Sequence, residues 1–294
     1  MRTTSSSGTP VMESPLIYVT GMHRSGTSAI TGTMTLFGLT PVNNDDLLPP
    51  DTHNQKGYFE SNALMQINDR ILAIMHGVWS RPPTLPYGWQ RTSGLEQLYP
   101  SFNHLIRSLT TNHATSIWKD PRLCLTLPVW RSALAGCRQS VILVYRHPVE
   151  VAWSLQRRDG FHPAYGLALW ERYIRAVFAN LEGMSVLVVR YEEALASPVL
   201  WCDTLTQFLA AIDVSVVTPA PHEAVAQFLD RTLHRERVGE YADPYTYMDD
   251  SIAMLPTQVE LMHLLDSLRG FHLSWTPPVV TPESPWVTAM LDPI

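Results

Sequence analysis

A short apolar run, Leu16 to Thr20, leads straight into Gly21-Met22-His23-Arg24-Ser25-Gly26-Thr27-Ser28 and then into a helical period, Ile30, Met34, Phe37, that stops at Gly38. No other stretch restricts the fold as much, because it reads as strand, tight turn and helix in immediate succession. Gly21 and Gly26 let the backbone curl so that successive N–H groups point inward, and the helix N-terminus adds its partial positive charge. An oxyanion belongs in such a turn. The G-x4-G spacing is that of a P-loop, but Thr27 stands where a Walker A motif carries Lys, and the loop's cation is Arg24. Nucleoside triphosphate hydrolysis is disfavoured, since the group that reaches the β/γ-phosphates is missing.

The rest of the chain repeats the alternation. Ser116 to Trp118, Ser140 to Tyr145 and Ser185 to Arg190 read as buried strands. Amphipathic segments lie between them, most clearly Ala164 to Leu181, where Leu167, Trp170, Ile174, Val177, Phe178 and Leu181 recur at three- and four-residue spacing. Continuous apolar strands separated by helices predict an α/β three-layer sandwich around a central, mostly parallel sheet, opened by the P-loop-like strand-loop-helix. With 294 residues and 45% hydrophobic residues, the chain has enough apolar surface for such a core. Residues 15–294 are expected to form a single domain, and the Ser/Thr-rich residues 1–14 a disordered tail. A Pro-rich stretch, Leu47 to Gln90, interrupts the rhythm around one helix, Asn62 to Met75, and predicts an insertion at about 45–90 over the sheet edge. The last 20 residues, with Pro277, Pro278, Pro282, Pro285 and Pro293, are expected to wrap the surface without regular structure.

Charge and cysteine usage narrow the partners. Lys+Arg number 21 against 27 Asp+Glu, a formal charge of −6, so no global basic field attracts nucleic acid or anionic lipid and any anion site is local. Cys124, Cys137 and Cys202 form neither a disulfide framework nor a CxxC pair. No apolar run approaches the roughly 18 residues of a membrane span, and the first residues lack the apolar stretch of a signal peptide. A cytoplasmic protein is expected, with no membrane span and no nucleic-acid partner. No HxxxH pair or Cys/His zinc spacing occurs, so no metal is expected. Oligomeric state is not legible.

A second anion site is signalled where Val141 to Tyr145 ends in Arg146-His147-Pro148. Pro148 suits the first turn of a helix through Val149, Ala152 and Leu155. Arg146 then falls at the sheet's carboxyl edge, where ligands of open α/β sheets collect, with Ser154 about two turns further on. A guanidinium fork and a hydroxyl so spaced suit one terminal phosphate.

These two segments together resemble the sulfotransferases that use 3′-phosphoadenosine 5′-phosphosulfate (PAPS). In that family a [KR]-[ST]-G-[TS]-[TS] loop holds the 5′-phosphosulfate, and a later R-x-P, with a Ser eight residues after the Arg, holds the 3′-phosphate. Here these are Arg24-Ser25-Gly26-Thr27-Ser28 and Arg146-His147-Pro148 with Ser154. Trp118-Lys119-Asp120-Pro121-Arg122, and Val189-Arg190-Tyr191-Glu192-Glu193 followed by Ser197-Pro198, resemble the bacterial branch that carries HRSGTS. The resemblance implies PAPS as co-substrate, no metal, and sulfuryl transfer to a hydroxyl of a small-molecule, carbohydrate or lipid-like acceptor. It further implies that Arg24, Ser25, Gly26, Thr27 and Ser28 cradle the 5′ end beside His23. Arg146 and Ser154 would read the 3′-phosphate, Tyr191 would line the adenosine pocket, and Arg235, in Leu233-His234-Arg235-Glu236-Arg237, would supply the family's late basic segment.

In-line sulfuryl transfer builds negative charge on the departing phosphate oxygen, which loop N–H groups and Arg24 are suited to neutralise. The acceptor hydroxyl needs a base. Glu60, in Lys56-Gly57-Tyr58-Phe59-Glu60, is preferred, since several sulfotransferase branches use a Glu. Asp120 and His53 are the alternatives, and Lys119 is placed to reach the sulfuryl oxygens. Two other functions stay open. One is a P-loop kinase or phosphotransferase with a degenerate Walker A loop, for which Ser116 to Asp120 resembles a magnesium-holding strand. The other is a non-catalytic nucleotide-binding module. The insertion's Tyr58, Phe59, Trp79, Tyr87 and Trp89 suit a sugar, phenol or lipid-like alcohol.

Overall fold

The computed structural model describes residues 15–86, 88–110, 115–215, 221–229 and 253–292. The expected tail, Tyr87, Pro293 and the segment with Arg235 lie outside these residues. One sheet organises the rest. Its strands are β1 (Leu16–Thr20), β2 (Thr40–Pro41), β3 (Ser116–Lys119), β4 (Gln139–Tyr145), β5 (Ser185–Arg190) and β6 (Gly270–His272), in the order β2-β3-β1-β4-β5-β6. All neighbours are parallel except β6, which runs antiparallel to β5. The four expected strands are therefore present within a residue at each end. The two edge strands were not expected, because two or three residues carry no readable period.

The pleat divides the core. Leu16, Tyr18, Trp118, Val141, Leu143, Tyr145, Val186 and Val188 point to one face, and Ile17, Val19, Ile117, Ile142, Val144, Leu187 and Val189 to the other. The second face is covered by α1 (Thr27–Leu36), α7 (Tyr191–Ala196), α8 (Pro198–Ala211) and α9 (His222–Phe228). The first face packs on α2 (Asn62–Ile74), α3 (Tyr99–Thr110), α4 (Leu123–Ala133), α6 (Pro163–Asn180), α10 (Pro256–Ser267) and α11 (Pro285–Leu291). Against α6 packs α5 (Pro148–Asp159), so close that a Cβ on Gly166 would meet the Ala152 Cα at 2.8 Å. This is the α/β three-layer sandwich read from the sequence. No helix among the described residues is long and apolar enough to cross a membrane.

The insertion reaches the sheet's carboxyl edge through His53, Tyr58 and Glu60, and its helix also packs on a sheet face, where Leu64, Ile67, Ile71 and Leu72 of α2 join the same cluster as Tyr18 and Trp118. One expectation needs correction. The C-terminal stretch is not irregular throughout, for Pro285 begins α11, with Ser284 Oγ accepting from Trp286 N at 3.3 Å. Proline breaks a helix inside it and favours one at its first turn.

Strand order positions the site. Since β3 and β4 flank β1, the chain changes side there, and the carboxyl ends of β3, β1, β4 and β5 stand in a row. Ligands bind at such a switch point in open α/β sheets.

Candidate functional site

At the end of β1 the loop turns through two glycines in left-handed backbone, Gly21 at φ 151° and Gly26 at φ 88°. Both are sterically required. A Cβ at Gly21 would lie 1.9 Å from the Val144 carbonyl oxygen, and one at Gly26 would lie 2.2 Å from the Tyr191 ring. Tyr191, carried past β5, therefore closes directly on the loop. Arg24 itself holds φ 70°, costly for a residue with a Cβ and typical of backbone held by its surroundings at a functional site.

Arg24 Nε donates to Ser154 Oγ at 2.9 Å, so the first loop touches α5 across 130 residues of sequence. Both Nη groups reach the His53 carbonyl at 3.4 Å. Arg146 Nη1 donates to the Arg24 carbonyl at 3.3 Å, and its guanidinium lies 5.8 Å from the centre of the Tyr191 ring. Glu150, one turn further along the chain, accepts from Arg146 Nε at 2.8 Å and aims the fork. His147 serves structure: its Nδ1 caps α5 by accepting from Val149 N at 3.3 Å.

From β3, Lys119 donates to Ser28 Oγ at 3.1 Å and pairs with Glu60. Both side chains are almost fully buried, and Arg122 stands 3.9 Å from the other Glu60 oxygen. Ser28 Oγ in turn donates to the Tyr58 carbonyl at 3.2 Å, which ties the start of α1 to the insertion. Asp120 differs from Glu60. It is fully buried, with one oxygen accepting from Arg122 N at 2.8 Å and Arg122 Nη1 at 3.1 Å, and the other from Asn68 Nδ2 at 2.9 Å. Burial works against the Arg122 charge, but Asp120, Asp69 and Glu60 outweigh it and raise its pKa. Asp120 is thus a structural carboxylate. Both of its oxygens already accept hydrogen bonds from protein donors.

His23 sits against Trp79, with ring centres 4.4 Å apart, and edge-on to Tyr173 at 5.8 Å. Burial first, then Arg122, Arg158, Lys119 and Arg24, hold its pKa well below the ordinary value, so the ring is neutral near pH 7. Among the described residues, its Nε2 and the buried Ser25 Oγ have no hydrogen-bond partner. Orphaned buried polar atoms are rare in native structures, and two in one anion loop suit a polar ligand. His53 is exposed and lines the cleft, and its carbonyl accepts from Arg24.

Every described sequence candidate therefore gathers at one sheet edge: His23 to Ser28, Glu60, Lys119, Arg146, Ser154 and Tyr191. Sequence reading missed Glu150, legible as Arg-x3-Glu at helical spacing. It also missed Arg157 and Arg158, which line the cleft and continue the helix that carries Ser154. Asn68 carried no local signal. Among the described residues, no three His, Cys, Asp or Glu side chains are gathered to hold a metal ion.

Fold and site define an α/β protein with a glycine-cornered strand-loop-helix at the sheet's carboxyl edge and with Arg146 and Ser154 lining the same cleft. No family model and no curated protein matches the chain. Solved structures similar to it include the sulfotransferase domain of the Synechococcus PCC 7002 olefin synthase, at 15% identity over 88% of this chain and 96% of that one, with a TM-score of 0.41. The sulfotransferase domain from the curacin biosynthetic pathway shares 14% identity over 95% and 96%, with a TM-score of 0.42. A sulfotransferase from Mycobacterium tuberculosis H37Rv shares 15% over 74% and 77%, with a TM-score of 0.39.

Proposed function

We propose that this chain is a sulfotransferase that takes PAPS as donor and a hydroxyl compound as acceptor. The carrying observation is the 2.9 Å contact between Arg24 and Ser154, because it joins the phosphosulfate loop and the 3′-phosphate pair in one cleft. A doubly phosphorylated adenosine has its two charged ends on one ribose and needs both groups side by side. Ser154 and Arg146 take the 3′-phosphate, and Tyr191, packed on Gly26, supports the nucleoside.

In the reaction, a bond forms between the acceptor oxygen and sulfur while the bond from sulfur to the 5′-phosphate oxygen breaks. The electron pair leaves on 3′,5′-ADP, and the acceptor proton passes to Glu60. Arg24 and the loop N–H groups stabilise the charge on the departing oxygen. Removing one such donor costs about 2.7–4 kcal/mol of barrier in comparable sites. Lys119, which bridges Ser28 and Glu60, is the cation that serves the sulfuryl oxygens. Asp120, engaged on both oxygens by Arg122 and Asn68, weighs against the kinase alternative.

The test is retention on immobilised 3′,5′-ADP in the presence of a chelator, followed by labelled PAPS with a panel of hydroxyl acceptors. Retention with turnover supports the reading. Retention without turnover on any acceptor leaves a binding module, and dependence on ATP with magnesium leaves a kinase.

A further inference from the structure

The cleft carries more positive charge than the donor uses. Among the described residues that line it, Arg24, Lys56, Lys119, Arg146, Arg157 and Arg158 are cations, while Glu60 is the one carboxylate. This concentration occurs in a chain of formal charge −6, so it is local to the site. Arg146 is committed to one phosphate, Arg24 and Lys119 to the phosphosulfate, and Lys56 donates to the Phe228 carbonyl.

Arg158 stands apart from these. Its guanidinium lies 5.2 Å from the centre of the Trp79 ring, and its Nε donates to Asp159 at 2.8 Å. The side chain is only 17% exposed, yet among the described residues neither Nη group has a hydrogen-bond partner. A largely buried guanidinium with an unused edge at a cleft wall is built for a carboxylate or phosphate, which it grips with two parallel N–H bonds. Its neighbours separate it from the donor's adenosine end. Arg146 and Arg24 are the cations that act on Tyr191, whereas Arg158 joins Arg24 in acting on His23 and Tyr58. Trp79 and Tyr58 both come from the insertion, and Trp79 packs on His23. Arg158 also lies one helical turn beyond Ser154, so it extends the same face of α5 past the 3′-phosphate pair.

We propose that the acceptor is itself an anion: a hydroxyl compound whose carboxylate or phosphate is held by the unused Nη edge of Arg158 against Trp79. The proposal rests on the sulfotransferase reading and names the substrate class of that site. Arg158 selects acceptors by charge, and Trp79 backs the guanidinium from the other side, a cation–π arrangement.

Matched probes test it. The full chain, saturated with 3′,5′-ADP, is titrated calorimetrically with 4-hydroxyphenylacetate and its methyl ester, and with glycerol 3-phosphate and glycerol. In at least one pair the anion is expected to bind at least about tenfold tighter than its neutral partner, the scale of charge-assisted hydrogen bonds. Arg158→Met should abolish that preference and leave 3′,5′-ADP affinity within about twofold, and Arg158→Lys should retain part of it. Equal binding of acid and neutral members in both pairs overturns the proposal. So does an Arg158→Met loss of 3′,5′-ADP affinity as large as the loss of anion affinity, because Arg158 would then belong to the donor. Failure of the wild-type chain to bind 3′,5′-ADP at all removes the donor reading first, and the two failures are thereby distinguished.

Discussion

Gly26 joins backbone conformation to ligand shape. A methyl group there would strike the Tyr191 ring in a left-handed backbone that side chains resist. Gly26→Ala is expected to destabilise the fold by at least about 1–2 kcal/mol and to weaken 3′,5′-ADP binding, both measurable by denaturant titration and calorimetry. Wild-type stability and affinity in that variant would break the link between loop and ring. Arg146→Ala should cost about 1.5–3 kcal/mol of 3′,5′-ADP affinity and leave 5′-AMP almost unaffected, since a charge-assisted contact disappears only where its phosphate exists. Equal losses for both nucleotides would remove Arg146 from the 3′ site. His23 has a sign that can be checked. Its pKa in the fold is depressed below the ordinary 6.5, chiefly by burial, so its contribution to stability is present above pH 6.5 and lost as pH falls toward the depressed value. The fall in Tm between pH 7 and pH 5 should therefore be smaller in His23→Phe than in wild type.

At the scale of elements, α2 and the β1 loop depend on each other. Ser61 caps α2, its Oγ accepting from Leu64 N at 3.3 Å, and Glu60 is the residue just before it. Ser61→Ala should cost about 0.5–2 kcal/mol of stability and reduce turnover more than donor affinity, because the start of α2 positions Glu60. A change in donor affinity alone would place that cap with nucleotide binding. Strands β1, β3, β4 and β5 and helices α1, α5 and α6 were legible because each carries its own period and its own boundary residue. β2 and β6 were not, because a strand of two or three residues exists only through its neighbour. Proline misled at α11 for a related reason: its effect depends on whether it stands at the first turn or inside.

Across the whole molecule, the C-terminal segment is bound to α6 by burial and charge together. Val287 and Leu291 are fully buried, and Arg172 Nη groups pair with Glu283 at 2.6 Å and Asp292 at 2.8 Å. Ending the chain after Val280 strips both carboxylates from a guanidinium that is 7% exposed. A loss of about 3–5 kcal/mol is expected, the usual effect of leaving a buried charge unpaired, and urea unfolding measures it. A variant as stable as the full chain would show that this segment is only draped over the surface. By itself the sequence determined the three-layer architecture, the glycine-cornered loop after β1, and the place of Arg146 at a strand's end with Ser154 on the helix that follows, because alternation, helical period and turn chemistry are local properties. Only the tertiary structure decided that Arg24 meets Ser154, that Lys119 holds Glu60, that Arg122 and Asn68 engage Asp120, and that Arg158 lies over Trp79. Most of these pairs join residues tens of positions apart, and what any one of those side chains is free to do depends on which partners the packed sheet brings within hydrogen-bond reach.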